Sequence, residues 1–279
     1  MSTLARKARS GARRARRTLV RWAAANELRE LEATRAKLRR TRAQLRDARS
    51  RLAEATYDLP PEVEEVIERA RAEHLSYLRK NDLRELATIV ADADANQLPG
   101  LIVEAGTARG GSAIVMAAAK APARGMKVYD VFGMIPAPSE QDGPDVHRRY
   151  EKISGGEAKG VGGDTYYGYR DDLYEEVKAS FSRLGVPVDE HSVELVQGLF
   201  EDTIDLDEPV AFAHLDGDWY ESTMTCLERI APLIVPGGRI VLDDYDHWSG
   251  CRRAVDEYFA DRPGFRLEHK AKLHVIREP

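Results

Sequence analysis

Asp216-Gly217-Asp218 and Asp243-Asp244 are two carboxylate clusters, and each follows directly on a short apolar run. The runs, 210–215 and 239–242, are partly β-branched and read as strands buried on both faces, while the segment between them has helical spacing. A strand, helix, strand unit of this kind makes its two strands parallel. Where such strands are neighbours, both clusters emerge at one carboxyl edge, which is where open α/β sheets bind ligands. Four crowded carboxylates repel one another, so a cation or a raised pKa has to offset the repulsion. The pattern therefore reads as a metal site. Each cluster alone has a plainer reading, Asp-Gly-Asp as a turn and Asp243-Asp244 as the cap of the helix that follows, but their pairing at two strand ends favours the site.

The elements that must position these acids begin at 100–106, a strand that breaks into the turn Glu104-Ala105-Gly106-Thr107-Ala108-Arg109-Gly110-Gly111-Ser112 and opens a helix. Gly106, Thr107, Gly110 and Ser112 belong to a turn of the kind that lets backbone approach a ligand closely. It departs from the G-x-G-x-x-G pattern, and Glu104 would oppose a pyrophosphate; an ammonium or a sulfonium suits it better. The next strand, 126–130, ends on Asp130, where a doubly wound fold places an acid for ribose hydroxyls. A ligand with a ribose and no phosphate fits both. Helices are expected over 62–78, 82–93, 112–120, 171–184 and 251–259, further strands over 192–197 and 265–269 with 272–276, and a turn at Pro236-Gly237-Gly238. The stretch 133–169, rich in Gly and Pro, is too long for a simple connection and reads as a flap, with Tyr166, Tyr167 and Tyr169 as a mobile aromatic lid.

Of the 279 residues, the first 56 carry 17 Lys and Arg against 5 Asp and Glu, a net of +12, which leaves −17 on the rest. The body is acidic and the arm basic. Residues 1–57 form an Ala/Arg/Leu-rich arm in which Leu31, Leu38, Leu45 and Leu52 recur every seventh position, the stripe of a long helix and a weak coiled coil. The expectation is a homo-oligomer assembled through this helix; a solvated basic helix is the plainer alternative. Residues 58–99 read as a helical cap and 100–279 as the main domain. Cys226 and Cys251 have no ligand spacing and suggest no oxidising compartment, and no apolar stretch is long enough for a membrane span, so a cytoplasmic location is expected.

Taken together, E-x-G-x-x-x-G-G-S from Glu104, the acid at Asp130, Gly198-Leu199-Phe200-Glu201-Asp202-Thr203, Leu215-Asp216-Gly217-Asp218-Trp219-Tyr220-Glu221-Ser222-Thr223, Pro236-Gly237-Gly238 and Asp243-Asp244-Tyr245 resemble the macrocin O-methyltransferase family. The resemblance covers roughly residues 101–259. It implies an α/β fold, the mostly parallel class I methyltransferase (Rossmann-like) sheet with its last strand reversed, here preceded by the basic helix. It also implies S-adenosylmethionine and Mg2+ as cofactors and a small-molecule or glycan hydroxyl, on a sugar, glycoside or other natural product, as acceptor. By the family's pattern Asp216, Asp243 and Asp244 match the magnesium ligands and Asp218 the general base. Glu104, Gly106 and Asp130 match the methionine and ribose contacts, and Gly198 borders the adenine.

An alcohol is a weak nucleophile until it approaches its alkoxide, and a divalent cation assists by acting as a Lewis acid. Magnesium prefers oxygen ligands, which carboxylates supply. Two histidines rival Asp218 as base: His214 lies inside a strand and reads as a core residue, and His247, close after Asp244, is the better rival. Two other functions compete. A cephalosporin-hydroxylase-like oxygen-transfer enzyme could use the same acids with another metal, though three carboxylates without a placed histidine favour magnesium over iron. A non-catalytic module could grip nucleic acid through the arm, but the acidic body and the lack of a base-reading motif argue against nucleic acid.

Overall fold

The computed structural model describes residues 59–279 and, before them, Thr34, Lys37 and Thr41, all three helical. The leucine stripe at Leu31, Leu38, Leu45 and Leu52 lies outside the described residues. The chain divides into a unit Met1–Leu52 and a unit Ala53–Pro279, and the second carries the site.

Five strands build a parallel sheet: β1 (Leu101–Ala105), β2 (Met126–Asp130), β3 (Val193–Gln197), β4 (Val210–Leu215) and β5 (Ile234–Leu242). A terminal hairpin, β6 (Phe265–His269) and β7 (Leu273–Arg277), adds β7 antiparallel to β5, giving the order β3-β2-β1-β4-β5-β7-β6. The last strand is the reversed one, as expected. β1 and β4 are buried at every position, which is why both read as continuous apolar runs rather than alternating ones. Their alternate residues feed two cores. Ile102 and Phe212 face one with α1 (Pro61–Ala72), α2 (Lys80–Ala95), α3 (Gly111–Ala119) and α5 (Leu173–Arg183). Val103, Ala105, Ala213 and Leu215 face the other with α7 (Tyr220–Ile230) and α8 (Ser249–Phe259). Helix α3 is apolar around its first seven residues and correspondingly buried. Short α6 (Phe200–Thr203) follows β3.

Three expectations are corrected. The helix expected over 62–78 stops at Ala72, because His74 takes a left-handed conformation and the Leu75 carbonyl turns to accept the Gly111 amide at 3.1 Å. Pro236-Gly237-Gly238 lies within β5 as an irregularity rather than a turn before it: Val210 pairs with Ile234 and Phe212 with Arg239, so the extra β5 residues bulge out around Gly237. The segment 133–169 is not an open lid. It contains α4 (Pro144–Ser154), and Ile135, Val146, Ile153, Ala158 and Tyr166 pack with Trp219 in a third core. Tyr166 is 2% exposed, and the Tyr169 hydroxyl donates to the Ile153 carbonyl at 2.5 Å. Two of its acids cap helices far along the chain. Asp142 accepts the Tyr220 amide at the start of α7 (2.8 Å), and Asp145 accepts the Ser249 amide at the start of α8 (3.0 Å), each satisfying an otherwise unpaired helix donor.

Candidate active site

The carboxyl edge of β1, β2 and β4 opens into a cleft. Its lining includes Gly106, Asp130, Tyr167, Leu199, Phe200, Asp216 and Asp218. Because β1 and β4 are neighbours in register, Ala105 opposite Leu215, the cofactor-type turn and the first acidic cluster leave the sheet side by side. Their backbones nearly touch: the Asp216 amide donates to the Ala105 carbonyl at 2.8 Å, and a Cβ on Gly106 would lie 2.0 Å from the Asp216 carbonyl oxygen. Only glycine fits, at φ +88.

The other members of the turn serve the protein more than the cleft. A Cβ on Gly110 would meet Val177 at 2.8 Å and one on Gly111 the Leu75 carbonyl at 2.6 Å, so this pair makes room for α5 and for the loop after α1. Ser112 and Thr107 are buried, the Thr107 hydroxyl without a protein partner among the described residues. Asp130 binds backbone: Oδ2 accepts the Thr107 and Ala108 amides (2.8 and 3.0 Å) and Oδ1 the Phe132 amide (2.7 Å). Burial pushes its pKa up against those three bonds. Gly198 donates to the Asp130 carbonyl, and the cleft wall beside it is formed by Leu199 and Phe200. Glu104 has no exposed surface; its Oε1 accepts from His214 Nδ1 at 2.8 Å. His214 is thus a core residue, as its place in a strand implied, but one bound to the acid of the turn.

The acids converge. One ligand atom each from Asp216, Asp218 and Asp244 lie within 4.8 Å of one another. Burial first, then the charges of Asp243 and Asp244, raises the pKa of Asp216 well above the usual carboxylate range. Burial with the neighbouring Asp216 charge takes Asp218 up to about 8, and Asp244 is raised by burial and by Asp218 and Asp243. This is the repulsion that the sequence implied. Asp243 is engaged by a cation: its Oδ1 lies 2.5 Å from Lys272 Nζ, and that ammonium also donates to the Asp243 carbonyl at 3.1 Å. The convergent trio therefore includes Asp218 where Asp243 was expected. Asp218 sits at φ +57, receives the Trp248 indole N–H at 2.8 Å, and donates its own amide to Asp244 Oδ2 at 3.1 Å. Asp244 is accordingly no side-chain cap for α8; Asp145 does that work. His247 is exposed on the turn before α8 and is not among the residues lining the cleft.

Lys272 and Trp248 were missed from sequence. Neither has a local signal: Lys272 lies in a hairpin turn 29 residues beyond Asp243, and Trp248 30 beyond Asp218.

The sheet order with its reversed final strand, and a cleft over β1, β2 and β4, define a class I methyltransferase fold. Among solved structures, the O-methyltransferase NovP matches with a TM-score of 0.59 at 27% identity, covering 73% of this chain and 82% of that one. The chain belongs to the macrocin-O-methyltransferase (TylF) family, whose sequence profile matches residues 12–264. It is 35% identical over 177 residues to the 8-demethyl-8-(2,3-dimethoxy-alpha-L-rhamnosyl)-tetracenomycin-C 4'-O-methyltransferase of Streptomyces olivaceus, covering 61% of this chain and 60% of that protein. It is 32% identical over 190 residues to the demethyldecarbamoylnovobiocin O-methyltransferase of Streptomyces niveus, covering 64% and 65%. The match thus spans a little under two thirds of the length of these two curated relatives. No helix among the described residues is long and apolar enough to cross a membrane.

Proposed function

We propose that this protein is an S-adenosylmethionine-dependent O-methyltransferase acting on a hydroxyl of a sugar, glycoside or related natural product, with a magnesium ion at the acidic cluster. The observation that carries this reading is the convergence of Asp216, Asp218 and Asp244 at the mouth of a cleft that also holds Gly106 and Asp130. Family membership and relatives named as O-methyltransferases support it.

The donor set fits magnesium, being all oxygen and crowded. Asp216 and Asp244 would hold the ion, with Asp243 joining them by the family's pattern; Asp243 is paired with Lys272 here. A bound divalent cation supplies Lewis acidity that lowers the cost of ionising an acceptor hydroxyl. Asp218, on the cleft surface and raised to about 8 by burial and Asp216, is placed to take the proton of an acceptor hydroxyl; S-adenosylmethionine, when bound, would supply the methyl group, its sulfonium becoming a neutral thioether. S-adenosylmethionine, when bound, would be held at its ribose by Asp130 and the 106–108 turn, with Leu199 and Phe200 bordering the adenine beside Gly198; the family's pattern assigns the methionine ammonium to the buried Glu104. Tyr167, in the cleft lining with its ring centre 4.4 Å from that of Tyr166 at a tilt of 41°, would offer an aromatic surface to the acceptor.

Equilibrium binding of S-adenosylmethionine with and without magnesium tests the reading. Micromolar-range binding with labelled methyl transfer to a glycoside only when magnesium is present is the expected result, and no cofactor binding by the folded protein would overturn it. The basic arm 1–57 is assigned to self-association or docking: a chain beginning at Leu59 should keep cofactor affinity and lose mass in solution.

A further inference from the structure

Beneath the turn of β1 is a buried glutamate–histidine pair, of which the reaction scheme uses only the glutamate. Glu104 and His214 stand directly opposite on neighbouring parallel strands, so their side chains share one face of the sheet. Neither is appreciably exposed, the side chains being 0% and 1% accessible. One hydrogen bond joins them, from His214 Nδ1 to Glu104 Oε1. The second carboxylate oxygen, Oε2, has no partner among the described residues, and a buried, unsatisfied carboxylate oxygen carries a desolvation penalty that a native structure rarely leaves unmet.

Two residues further on, Gly106 forms part of the cleft wall, and the Thr107 hydroxyl is a second buried oxygen without a protein partner. Two buried oxygens of this turn, Glu104 Oε2 and the Thr107 hydroxyl, thus lack a partner among the described residues. A primary ammonium is the complement of an oxygen such as Glu104 Oε2. Only a carboxylate fixed in rotation presents Oε2 in one direction, and the bond to Oε1 supplies that restraint: with His214 donating, the two oxygens are no longer interchangeable. Since Glu104 has no exposed surface, a ligand reaches Oε2 only with a local rearrangement of the turn that follows, and a side chain already oriented loses less entropy when that happens.

On this basis, and resting on the reading that Glu104 receives the cofactor's α-ammonium, we infer that His214 is a positioning residue for the amino-acid end of the cofactor, acting by holding the Glu104 carboxylate. It has no contact with the reacting atoms. Its effect is confined to ligands that carry an ammonium, which separates it from a general contribution to the core.

The test is calorimetric binding of two probes to the full chain, S-adenosylhomocysteine and 5'-methylthioadenosine, which shares the nucleoside and thioether and lacks the amino-acid end. In His214→Leu, S-adenosylhomocysteine should bind about tenfold or more weakly, the scale of one hydrogen bond to a charged group. Methylthioadenosine should stay within about twofold of the wild type, a change too small to represent a lost hydrogen bond. His214→Asn, whose amide nitrogen falls near the place of Nδ1, should recover most of the affinity for S-adenosylhomocysteine. Equal losses for both probes would reduce His214 to a core residue and overturn the inference, as would unchanged binding of both. Should the Leu variant not fold, Asn against Gln decides: better binding by Asn supports the role, and equal binding overturns it. Glu104→Gln separates the underlying reading. If it binds S-adenosylhomocysteine like the wild type, Glu104 is not the ammonium contact and the inference falls with it; if it loses that affinity while His214→Leu keeps it, the inference alone fails.

Discussion

Two histidine–glutamate pairs are buried along one row of the sheet, and their surroundings give them opposite characters. Strand register runs Glu104, His214, Val241, His274 from β1 to β7. At one end His214 bonds Glu104 beneath the acidic edge; at the other His274 lies 3.4 Å from Glu85 of α2 and accepts from Arg239 at 3.2 Å. Burial works against a charged ring in both. For His214 the hydrogen bond and charge of Glu104, with Asp216 and Asp243 beyond, prevail and hold its pKa above 6.5. For His274, Glu85 pulls upward, but Lys270 and Arg239 side with burial and its pKa falls below 6.5. The same pair of side chains is thus tuned by the sign of the charge around it: the β1–β4 end belongs to a negatively charged site, the β7 end to a brace between the sheet and α2.

If that division is real, perturbing the acidic end should abolish turnover without unfolding the protein. Exhaustive chelation is the strongest case: methyl transfer should vanish and return with added magnesium, while the circular dichroism spectrum stays unchanged. Persistent activity without divalent cations would remove the metal from the acidic end. Asp218→Asn comes next, with turnover lowered by about 10²-fold or more and S-adenosylhomocysteine affinity close to wild type. Near-normal turnover would leave the base role to some other group.

The brace should behave in the opposite way. His274→Leu deletes the acceptor for Arg239 and the neighbour of Glu85, so a loss of about 1–3 kcal/mol in urea unfolding is expected, with cofactor affinity unaffected. An unchanged unfolding midpoint would deny it a structural role. The smallest effect concerns pH. A folded pKa below the unfolded value means that the native state prefers neutral His274, so its contribution is complete above about pH 6.5 and is lost as pH falls below it. The melting temperature of the wild type should therefore drop more between about pH 7.5 and about pH 5 than that of His274→Gln; parallel curves would show that His274 does not titrate against the fold.

How far the sequence disclosed this depends on how local each cause is. β1, β2 and β4 were legible because strands covered on both faces must be apolar, and Asp130, Asp216 and Asp244 were legible as acids closing such runs. The glycines were half legible. Gly106 meets the cleft, while Gly110, expected to give a ligand room, also gives room to Val177, a partner that no window around the turn contains. The segment 133–169 looked loose because its aliphatics are few; its order comes from Trp219 and from Asp142 and Asp145 capping helices some 78 and 104 residues away. The hold of Lys272 on Asp243 and of His214 on Glu104 are likewise products of register, invisible until the strands are laid side by side.

Trp219 and Trp248 lie edge to face with ring centres 5.8 Å apart, one anchored to the Pro136 carbonyl and the other to the Asp218 carboxylate. Two of the chain's three tryptophans therefore sit at the acidic edge, the third being Trp22. The protein carries its own optical reporter: the emission of the indole bonded to Asp218 depends on the charge and hydration of that carboxylate, so a Trp22→Phe chain would signal cation or acceptor binding by intrinsic fluorescence, with no label and no turnover.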